Sequence, residues 1–327
     1  MRYRILGSTG YTVSEVGYGS WSLGADWGDV SQTQALAVLH AAVDSGVNFI
    51  DTADVYGDGK SEKIIGIFLK QRKEHIYVTT KAGRRLNPHE ADGYTKKNLI
   101  LFVDRSRKNL GLNTLDLLQL HCPPTPVYYR PEVFEALDDL IKKKKIRHYG
   151  VSVEKVEEGI KALEYPGIST IQIVFNMFRQ RPSEHLFALA KQKNVGIIVR
   201  VPLASGLLTG AISKNTQFPE NDHRNYNREG QKFDVGETFS GIPLSSGFKA
   251  VEQLKAIQPK GYTMAQFALK WILMHKDVST VIPGGKRPEQ IFGNTKTSDM
   301  KNLSPRVIHA VKKIYESSVK PLVHQRW

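Results

Sequence analysis

Short apolar runs typical of β-strands alternate along the chain with longer segments in which apolar residues recur every three or four positions. Eight such runs lie near residues 16–20, 47–51, 76–80, 115–120, 146–151, 170–175, 195–201 and 278–282. A continuous apolar run bounded by turn residues is typical of a strand buried on both faces. The segments between the runs have the periodicity of amphipathic helices. The pattern therefore predicts eight strand–helix units.

Several of the predicted helices also carry recognisable start and stop signals. Ser31 and Gln34 form a capping-box pair before one apolar stripe, and Gly46 ends that stripe. Thr263 and Gln266 repeat the capping-box pair before a later stripe. These signals predict helix starts at both places.

Eight consecutive strand–helix units predict parallel strands joined by right-handed crossovers. Eight units that close on themselves form an α/β fold of the (β/α)8 TIM-barrel type. The alternative is an open doubly wound sheet, but its dinucleotide-binding form would carry a GxGxxG motif after the first strand, and that motif is missing there. We expect one domain over residues 1–327, with an N-terminal β-hairpin over 2–13, a long irregular connection over about 207–247 and an extra C-terminal helix.

Composition restricts the possible function classes. Lys plus Arg is 46 and Asp plus Glu is 32, so the formal charge is +14, which favours anionic partners such as phosphates and nucleotides. There is no nucleic-acid-binding motif, no apolar run long enough to cross a membrane and no cluster with metal-ligand spacing. Cys122 is the single cysteine, so no internal disulfide can form. We expect a cytoplasmic protein with no metal, membrane or nucleic-acid partner.

Ionisable side chains end three consecutive predicted strands. Asp51 ends the second strand, Lys81 the third and His121 the fourth, and Tyr56 follows Asp51 in the next loop. Each residue alone has an ordinary structural explanation, such as a buried ion pair or a packed loop aromatic. Because barrel active sites lie at the carboxyl ends of the strands, the four residues together predict a catalytic site.

These four residue types suit the reduction of a carbonyl group. A tyrosine has a pKa near 10, and a neighbouring lysine ammonium is expected to lower the pKa of Tyr56. Asp51 would hold Lys81 in place by an ion pair, and His121 would donate a hydrogen bond to the carbonyl oxygen. Such a site supplies a proton and needs a hydride from a separate cofactor.

The motifs that carry these residues resemble those of the aldo-keto reductases over nearly the whole chain. They are NFIDTADVYG at 48–57, YVTTKAG at 77–83, LLQLHCP at 117–123 and VIPGGKRPEQIFGN at 281–294. The resemblance implies a (β/α)8 barrel that binds NADPH/NADP+, with Asp51, Tyr56, Lys81 and His121 as the catalytic residues. It also implies a small carbonyl compound as the substrate.

The resemblance further implies a set of cofactor-binding residues, spread over the ends of several strands and the last motif. They are Gly19, Ser20, Trp21, Asp51, Ser152, Gln172, Arg200, Pro202, Leu203, Ser205, Gly206, Gly284, Lys286, Arg287, Gln290 and Asn294. Three positions depart from the family pattern. Val153 replaces an amide, Arg200 an aromatic residue that stacks on the nicotinamide, and Gly293 an acid. Arg224, in the long connection, is expected to close over the cofactor phosphate.

Three functions remain open at this stage. The favoured function is an NADPH-dependent reductase of aldehydes or ketones. The first alternative is a cofactor-binding regulatory subunit with little turnover, similar to the channel-associated branch of the family, which carries asparagine where this chain has His121. The second is an unrelated barrel enzyme that uses Lys81 as a Schiff-base nucleophile. The sequence does not identify the carbonyl substrate or the oligomeric state.

Overall fold

The computed structural model describes residues 1–24 and 26–327 and contains two sheets. Strands β1 (Tyr3–Ile5) and β2 (Thr12–Ser14) form an antiparallel hairpin. The remaining strands are β3 (Tyr18–Gly19), β4 (Phe49–Asp51), β5 (Tyr77–Ala82), β6 (Leu115–His121), β7 (Ile146–Ser152), β8 (Ile168–Val174), β9 (Gly196–Arg200) and β10 (Val278–Val281). They coincide with the eight predicted apolar runs.

Strands β3 to β10 form one parallel sheet in which each strand lies beside its sequence neighbours. The two edges of this sheet meet, because the amide of Gly17 donates to the carbonyl oxygen of Val281 at 2.8 Å. A parallel bridge between Val16 and Val281 lies at the same place. The predicted (β/α)8 barrel with an N-terminal hairpin is confirmed.

Helices connect the strands and cover the barrel. They are α1 (Trp21–Gly24), α2 (Gln32–Asp44), α3 (Lys60–Leu69), α4 (Lys96–Leu110), α5 (Pro131–Lys142), α6 (Val156–Ala162), α7 (Leu186–Gln192), α8 (His223–Tyr226), α9 (Leu244–Ala256), α10 (Met264–Leu273), α11 (Pro288–Lys296), α12 (Pro305–Ile314) and α13 (Lys320–Val323). The expected extra C-terminal helix is present as α12. Within the described part of the chain, no helix is long and apolar enough to cross a membrane.

The two predicted capping boxes have different outcomes. Thr263 and Gln266 cap α10 reciprocally, as predicted. Ser31 accepts a hydrogen bond from the amide of Gln34, but the Gln34 side chain donates to the carbonyl oxygen of Lys286 and does not return to the cap. In the Ser31–Gln34 pair, a contact with a distant residue thus replaces the hydrogen bond that the glutamine side chain would return to the cap. This contact joins α2 to the turn before α11.

The hairpin closes the amino end of the barrel. Leu6 and Val13 pack there against inward-facing side chains from three barrel strands, Phe49, Leu117 and Ile198. A side chain at Gly7 would come within 2.2 Å of the backbone of Gly196, so the hairpin approaches the barrel closely. Access to the barrel interior is therefore left to the carboxyl end.

The long connection between β9 and α9 runs from 201 to 243. Its predicted end at 247 is wrong, because α9 already begins at Leu244. The connection contains α8 and several single helical turns. An antiparallel bridge between Trp27 and Asp222 fastens it to the loop that follows α1.

Candidate active site

Lys81 lies at the centre of the four predicted catalytic side chains. Its Nζ is 2.5 Å from Asp51 Oδ2, 2.8 Å from the Thr52 carbonyl oxygen and 3.3 Å from Tyr56 Oη. Lys81 and Asp51 are buried. The His121 ring lies nearly perpendicular to the Tyr56 ring, with 5.9 Å between centroids. The structure brings all four side chains together.

The register of the parallel strands explains this convergence. Thr79 lies opposite Asp51 in β4, and Lys81 is two residues further along β5, so Thr79 and Lys81 share one face. Gln119 lies opposite Lys81 on β6, and His121 follows two residues later on the same face. The same alternation directs these side chains into the barrel near its carboxyl end.

A hydrogen-bond chain continues from Asp51 across the barrel. Gln172 Nε2 donates to Asp51 Oδ1 at 2.7 Å, and Ser152 Oγ donates to Gln172 Oε1 at 3.2 Å. Ser152 and Gln172 are both fully buried. Gln172 therefore holds the second carboxylate oxygen of Asp51, and Ser152 holds Gln172. Both predicted cofactor contacts thus help to orient the Asp51 carboxylate toward Lys81.

The expected lowering of the Tyr56 pKa is wrong. Burial of the phenol raises its pKa more than the Lys81 ammonium lowers it, and the Asp51 carboxylate raises it further. The physical reason is that a buried phenolate loses its hydration, and this cost exceeds the stabilisation that the Lys81 ammonium provides. Tyr56 therefore stays protonated above the usual range for a tyrosine, which is the form that can give a proton.

His121 is a neutral imidazole at physiological pH. Burial lowers its pKa well below the usual value, and the positive charges of Arg84 and Lys81 lower it further. Of the residues that the structure describes, none bonds to His121 Nδ1. A neutral ring beside Tyr56 can donate one hydrogen bond without adding a charge.

The predicted phosphate-binding residues form a second group at the barrel mouth. Lys286 Nζ donates to the carbonyl oxygen of Trp27. Arg224 forms two hydrogen bonds to Asp222, at 2.9 Å and 2.6 Å, and its guanidinium lies 4.6 Å from the Trp27 ring centroid. Lys286 and Arg224 thus both contact Trp27. Arg287 is exposed and forms no ion pair within the described ranges.

Other predicted cofactor residues hold the turns around this group. Gln290 Oε1 accepts hydrogen bonds from the amides of Lys286 and Arg287, and Asn294 Nδ2 donates to the Gly284 carbonyl oxygen at 3.3 Å. Gly19 lies against the same turn, since its amide donates to the Pro283 carbonyl oxygen at 3.1 Å. These hydrogen bonds fix the backbone conformation of the motif at 281–294.

Ser20 has a similar structural role. Its Oγ donates to the Asp51 carbonyl oxygen at 2.8 Å and pairs with Ser61 Oγ at the same distance. Ser20 is fully buried, so its hydroxyl joins β3 to β4 and does not face the barrel mouth.

The segment Pro202, Leu203, Ser205 and Gly206 follows β9 directly and contacts later parts of the same long connection. Ser205 Oγ donates to the carbonyl oxygen of Glu237 at 2.9 Å. Gly206 has φ near +95°, and a side chain there would come within 3.6 Å of the Arg224 guanidinium. The segment therefore lies close to both Glu237 and Arg224.

A family model described as "Aldo/keto reductase family" matches residues 15–316. The chain belongs to the aldo/keto reductase family. The solved glycerol dehydrogenase of Gluconobacter oxydans is 27% identical, with a TM-score of 0.79 over 97% of this chain and 96% of that one. The architecture of the family is thus present over nearly the whole length.

Curated relatives of this chain carry different names. Aldo-keto reductase yakc of Schizosaccharomyces pombe, whose name includes NADP(+), is 30% identical over 86% of this chain and 83% of its own. The NADH-specific methylglyoxal reductase of Escherichia coli is 28% identical over 88% and 91%. A probable voltage-gated potassium channel subunit beta of Arabidopsis thaliana is 29% identical over 98% of both chains. The relatives therefore include both named reductases and a channel subunit.

Arg200 lies at the end of β9 beside the catalytic group. Its guanidinium donates to the Val153 carbonyl oxygen at 3.0 Å and lies 3.4 Å from Glu237. Arg84 holds the same carboxylate at 2.6 Å. Burial alone would raise the Glu237 pKa, but Arg84 and Arg200 together lower it to about 2. Glu237 is therefore a charged group that fixes the long connection onto the barrel.

Glu237, Arg84 and Glu154 were missed by the sequence analysis. Glu237 lies in a connection without periodicity, and Arg84 and Glu154 follow two different strands. The acid within GETFSG (236–241) is the one signal in the sequence, because it interrupts small and apolar residues. Nothing local indicates that it pairs with Arg84, which is 153 positions away, or with Arg200 at the end of β9.

Cys122, Glu154 and Glu237 have atoms within 4.8 Å of one another, which is compatible with metal-ligand spacing. Two guanidinium groups already neutralise Glu237, and burial raises the pKa of the Cys122 thiol to about 11. A metal ligand must be deprotonated and needs a position without competing cations. The donor set is therefore unsuited to a cation.

A cavity of about 730 Å³ opens above the catalytic residues. Tyr56 and His121 contribute to its floor, and Trp21, Arg84 and Phe233 are among its walls. Trp21 stacks on His223 of α8, with 4.6 Å between ring centroids, so the long connection also forms part of this cavity. The volume suits a small organic molecule.

Proposed function

We propose that this protein is an NADPH-dependent enzyme that reduces an aldehyde or ketone to an alcohol. The observation that carries the proposal is Lys81 Nζ, which contacts both Asp51 and Tyr56 beside His121 at the floor of an open cavity. NADPH would supply the hydride that adds to the carbonyl carbon. The test is steady-state oxidation of NADPH by purified protein with a panel of carbonyl compounds.

In this proposal each catalytic residue has one task. Tyr56 Oη gives its proton to the carbonyl oxygen, and that proton is later replaced from solvent. His121 donates a hydrogen bond to the same oxygen and stabilises the charge that develops there. Lys81 holds the tyrosine hydroxyl, and Asp51 keeps Lys81 charged and in place. The raised pKa of Tyr56 keeps the phenol in its donating form.

The residues present suit a dinucleotide at the barrel mouth. Ser152 and Gln172 lie beside the catalytic group, where a nicotinamide carboxamide would need hydrogen-bond partners. Lys286 and Arg224 lie at the other end, with the N-terminus of α11 beside them, which favours a phosphate. The relative whose name includes NADP(+) supports NADPH as the coenzyme.

Replacement of Lys286 by alanine is expected to raise the Kd for NADPH by at least about tenfold, because a hydrogen bond to a charged group contributes about 1.5–3 kcal/mol. The Kd for NADH should remain unchanged, since NADH lacks the 2′-phosphate. Fluorescence titration with both coenzymes at one ionic strength measures the difference. Arg287→Ala, made separately, measures how much that exposed neighbour contributes to the Kd for NADPH. Equal weakening of both coenzymes by Lys286→Ala would contradict a phosphate-binding role.

Replacement of Arg200 by alanine is expected to weaken both coenzymes by a similar factor of about tenfold, which is the value of one lost hydrogen bond. The reason is its position beside Ser152 and Gln172, at the end that NADPH and NADH share. Arg147→Ala is the control, because Arg147 is exposed near the start of β7. Unchanged Kd values, or a loss confined to NADPH, would argue against this placement.

The second candidate function is a cofactor-binding regulatory subunit with little turnover. The relative named as a channel subunit favours this alternative, because it aligns over nearly the full length of both chains. His121 and Tyr56 in contact favour the enzyme. Tight NADPH binding without turnover of any carbonyl in the panel would support the regulatory function.

A further inference from the structure

Arg200 carries a buried positive charge at the end of the barrel where the nicotinamide ring would bind. Gln172 on β8 lies opposite Ile198 on β9, and Arg200 follows two residues later, so it lies on the same face and nearer to the barrel mouth. Its guanidinium also donates to the carbonyl oxygen of Val153, which directly follows Ser152. Ser152 and Gln172 are the proposed partners of the nicotinamide carboxamide. Arg200 is therefore expected to lie beside the ring.

The positive charge of Arg200 is only partly compensated. Its ion-pair partner is Glu237, whose Oε1 lies 3.4 Å from Arg200 but 2.6 Å from Arg84. One carboxylate oxygen thus serves two guanidinium groups and lies closer to the other one. Glu154, the second partner of Arg84 at 3.2 Å, is only partly ionised near neutral pH, because burial raises its pKa to about 7. Within the described part of the chain, Arg200 Nε has no hydrogen-bond partner.

The other ionisable groups near this arginine do not supply the missing negative charge. Lys81 and Asp51 form an ion pair at 2.5 Å that has no net charge. The Cys122 thiol receives an N–H of the arginine at 3.5 Å, but it is neutral, because burial raises its pKa to about 11. Arg179 and Asp234 add one charge of each sign. The positive charges at this end of the barrel therefore exceed the negative ones.

The two redox states of the coenzyme differ in charge at the nicotinamide ring. The ring of NADP+ is a pyridinium with a positive charge, whereas the dihydronicotinamide ring of NADPH is neutral. The phosphates and the adenosine are the same in both forms. A cation beside the ring therefore raises the free energy of bound NADP+ and leaves that of bound NADPH almost unchanged. The effect is largest where water is excluded, and Arg200 is only 8% exposed.

We infer that Arg200 makes the protein bind NADPH in preference to NADP+, and that Glu237 limits this preference by compensating part of the charge of Arg200. The inference rests on the proposed function, because it requires a nicotinamide ring at this place. It assigns the selectivity for one redox state of the coenzyme to this pair of residues. Glu237 belongs to the long connection, so this connection adjusts the selectivity of a site that the barrel strands form.

The first test compares the Kd values of NADP+ and NADPH for the wild type and for Arg200→Gln. Glutamine removes the charge and keeps a side chain that can donate a hydrogen bond. We expect the wild type to bind NADPH at least about tenfold more tightly than NADP+, and the variant to lose about tenfold of this ratio, which corresponds to about 1.4 kcal/mol. Isothermal titration calorimetry measures both forms. The Kd ratio of NAD+ to NADH should change in the same way, since the 2′-phosphate takes no part.

The second test uses Glu237→Gln, for which the opposite shift is expected. Loss of the carboxylate leaves Arg200 and Arg84 less compensated, so the Kd ratio of NADP+ to NADPH should rise by at least about tenfold. Lys286→Ala is the control, because it should weaken both forms equally at the 2′-phosphate that they share. Opposite shifts from two neighbouring variants distinguish an electrostatic role from a loss of local structure. Circular dichroism checks the folding of each variant.

Each outcome supports or overturns the inference. Equal Kd values for NADP+ and NADPH in the wild type, or an unchanged ratio in folded Arg200→Gln, would overturn it, while carbonyl turnover with NADPH would leave the proposed function intact. Shifts of the same sign in both variants would overturn the role of Glu237. Absence of binding of either coenzyme by the wild type would overturn the proposed function, and the inference with it. Where one variant fails to fold, the other variant and the wild-type ratio still decide.

Discussion

Replacement of Tyr56 by phenylalanine is expected to lower kcat for carbonyl reduction by about 10²–10⁴-fold, the usual contribution of a positioned proton donor. Phenylalanine keeps the ring and its packing against Trp21 but removes the hydroxyl that contacts Lys81 Nζ. NADPH binding should stay close to that of the wild type. Single-turnover oxidation of bound NADPH measures the chemical step, and fluorescence titration measures coenzyme affinity.

Tyr165→Phe is a suitable control, because the Tyr165 hydroxyl bonds to the Tyr128 carbonyl oxygen and does not line the cavity. The pH dependence gives an independent check. The raised pKa of Tyr56 means that the donating form persists above pH 10, the usual tyrosine value, so reduction should fall only beyond it. A Tyr56→Phe variant that keeps half of the wild-type single-turnover rate would show that Tyr56 is not the proton donor.

Replacement of Lys81 by methionine is expected to have two large effects. The chemical step should slow by about 10²–10³-fold, the range found when one preorganised electrostatic partner is removed. The free energy of unfolding should fall by about 3–5 kcal/mol, because Asp51 is left buried without its counter-ion. Denaturant unfolding measures stability, and single-turnover kinetics of the folded fraction measure the rate.

A double variant separates these two effects. Asp51→Asn together with Lys81→Met removes both charges, so part of the lost stability should return, while the slow chemical step should persist. Gln172 can still bond to an amide at position 51, which keeps the local packing. Recovery of the rate together with stability would mean that Lys81 serves folding alone. A folded Lys81→Met variant with an unchanged pH–rate profile would show that Lys81 does not act on Tyr56.

The fold could be predicted because its signals are local. Each buried strand appears as a short apolar run, and each crossover helix has its own periodicity, so the number and order of units follow from the chain alone. The convergence of Asp51, Lys81 and His121 was predictable for the same reason. The carboxyl ends of neighbouring parallel strands must lie side by side.

Boundaries and caps were less predictable where tertiary contacts compete with local preferences. The start of α9 at Leu244 lies inside the segment expected to be irregular, since Pro243 precedes it without the usual polar cap. Gln34 bonds to the Lys286 carbonyl oxygen and not to its own helix cap. A local motif shows which hydrogen bonds a residue could form. The contacts with neighbouring helices and strands decide which of them is formed.

The sequence by itself determined the barrel, the order of its units and the four residue types at the reactive end. The tertiary structure alone decided the electrostatics of the site. Burial raises the pKa of Tyr56 although Lys81 lies beside it, because the loss of hydration outweighs the attraction of the ammonium group. Glu237 reaches Arg84 and Arg200 from a connection without periodicity. Burial and long-range pairing depend on distances between remote segments, and no local pattern of residues encodes those distances.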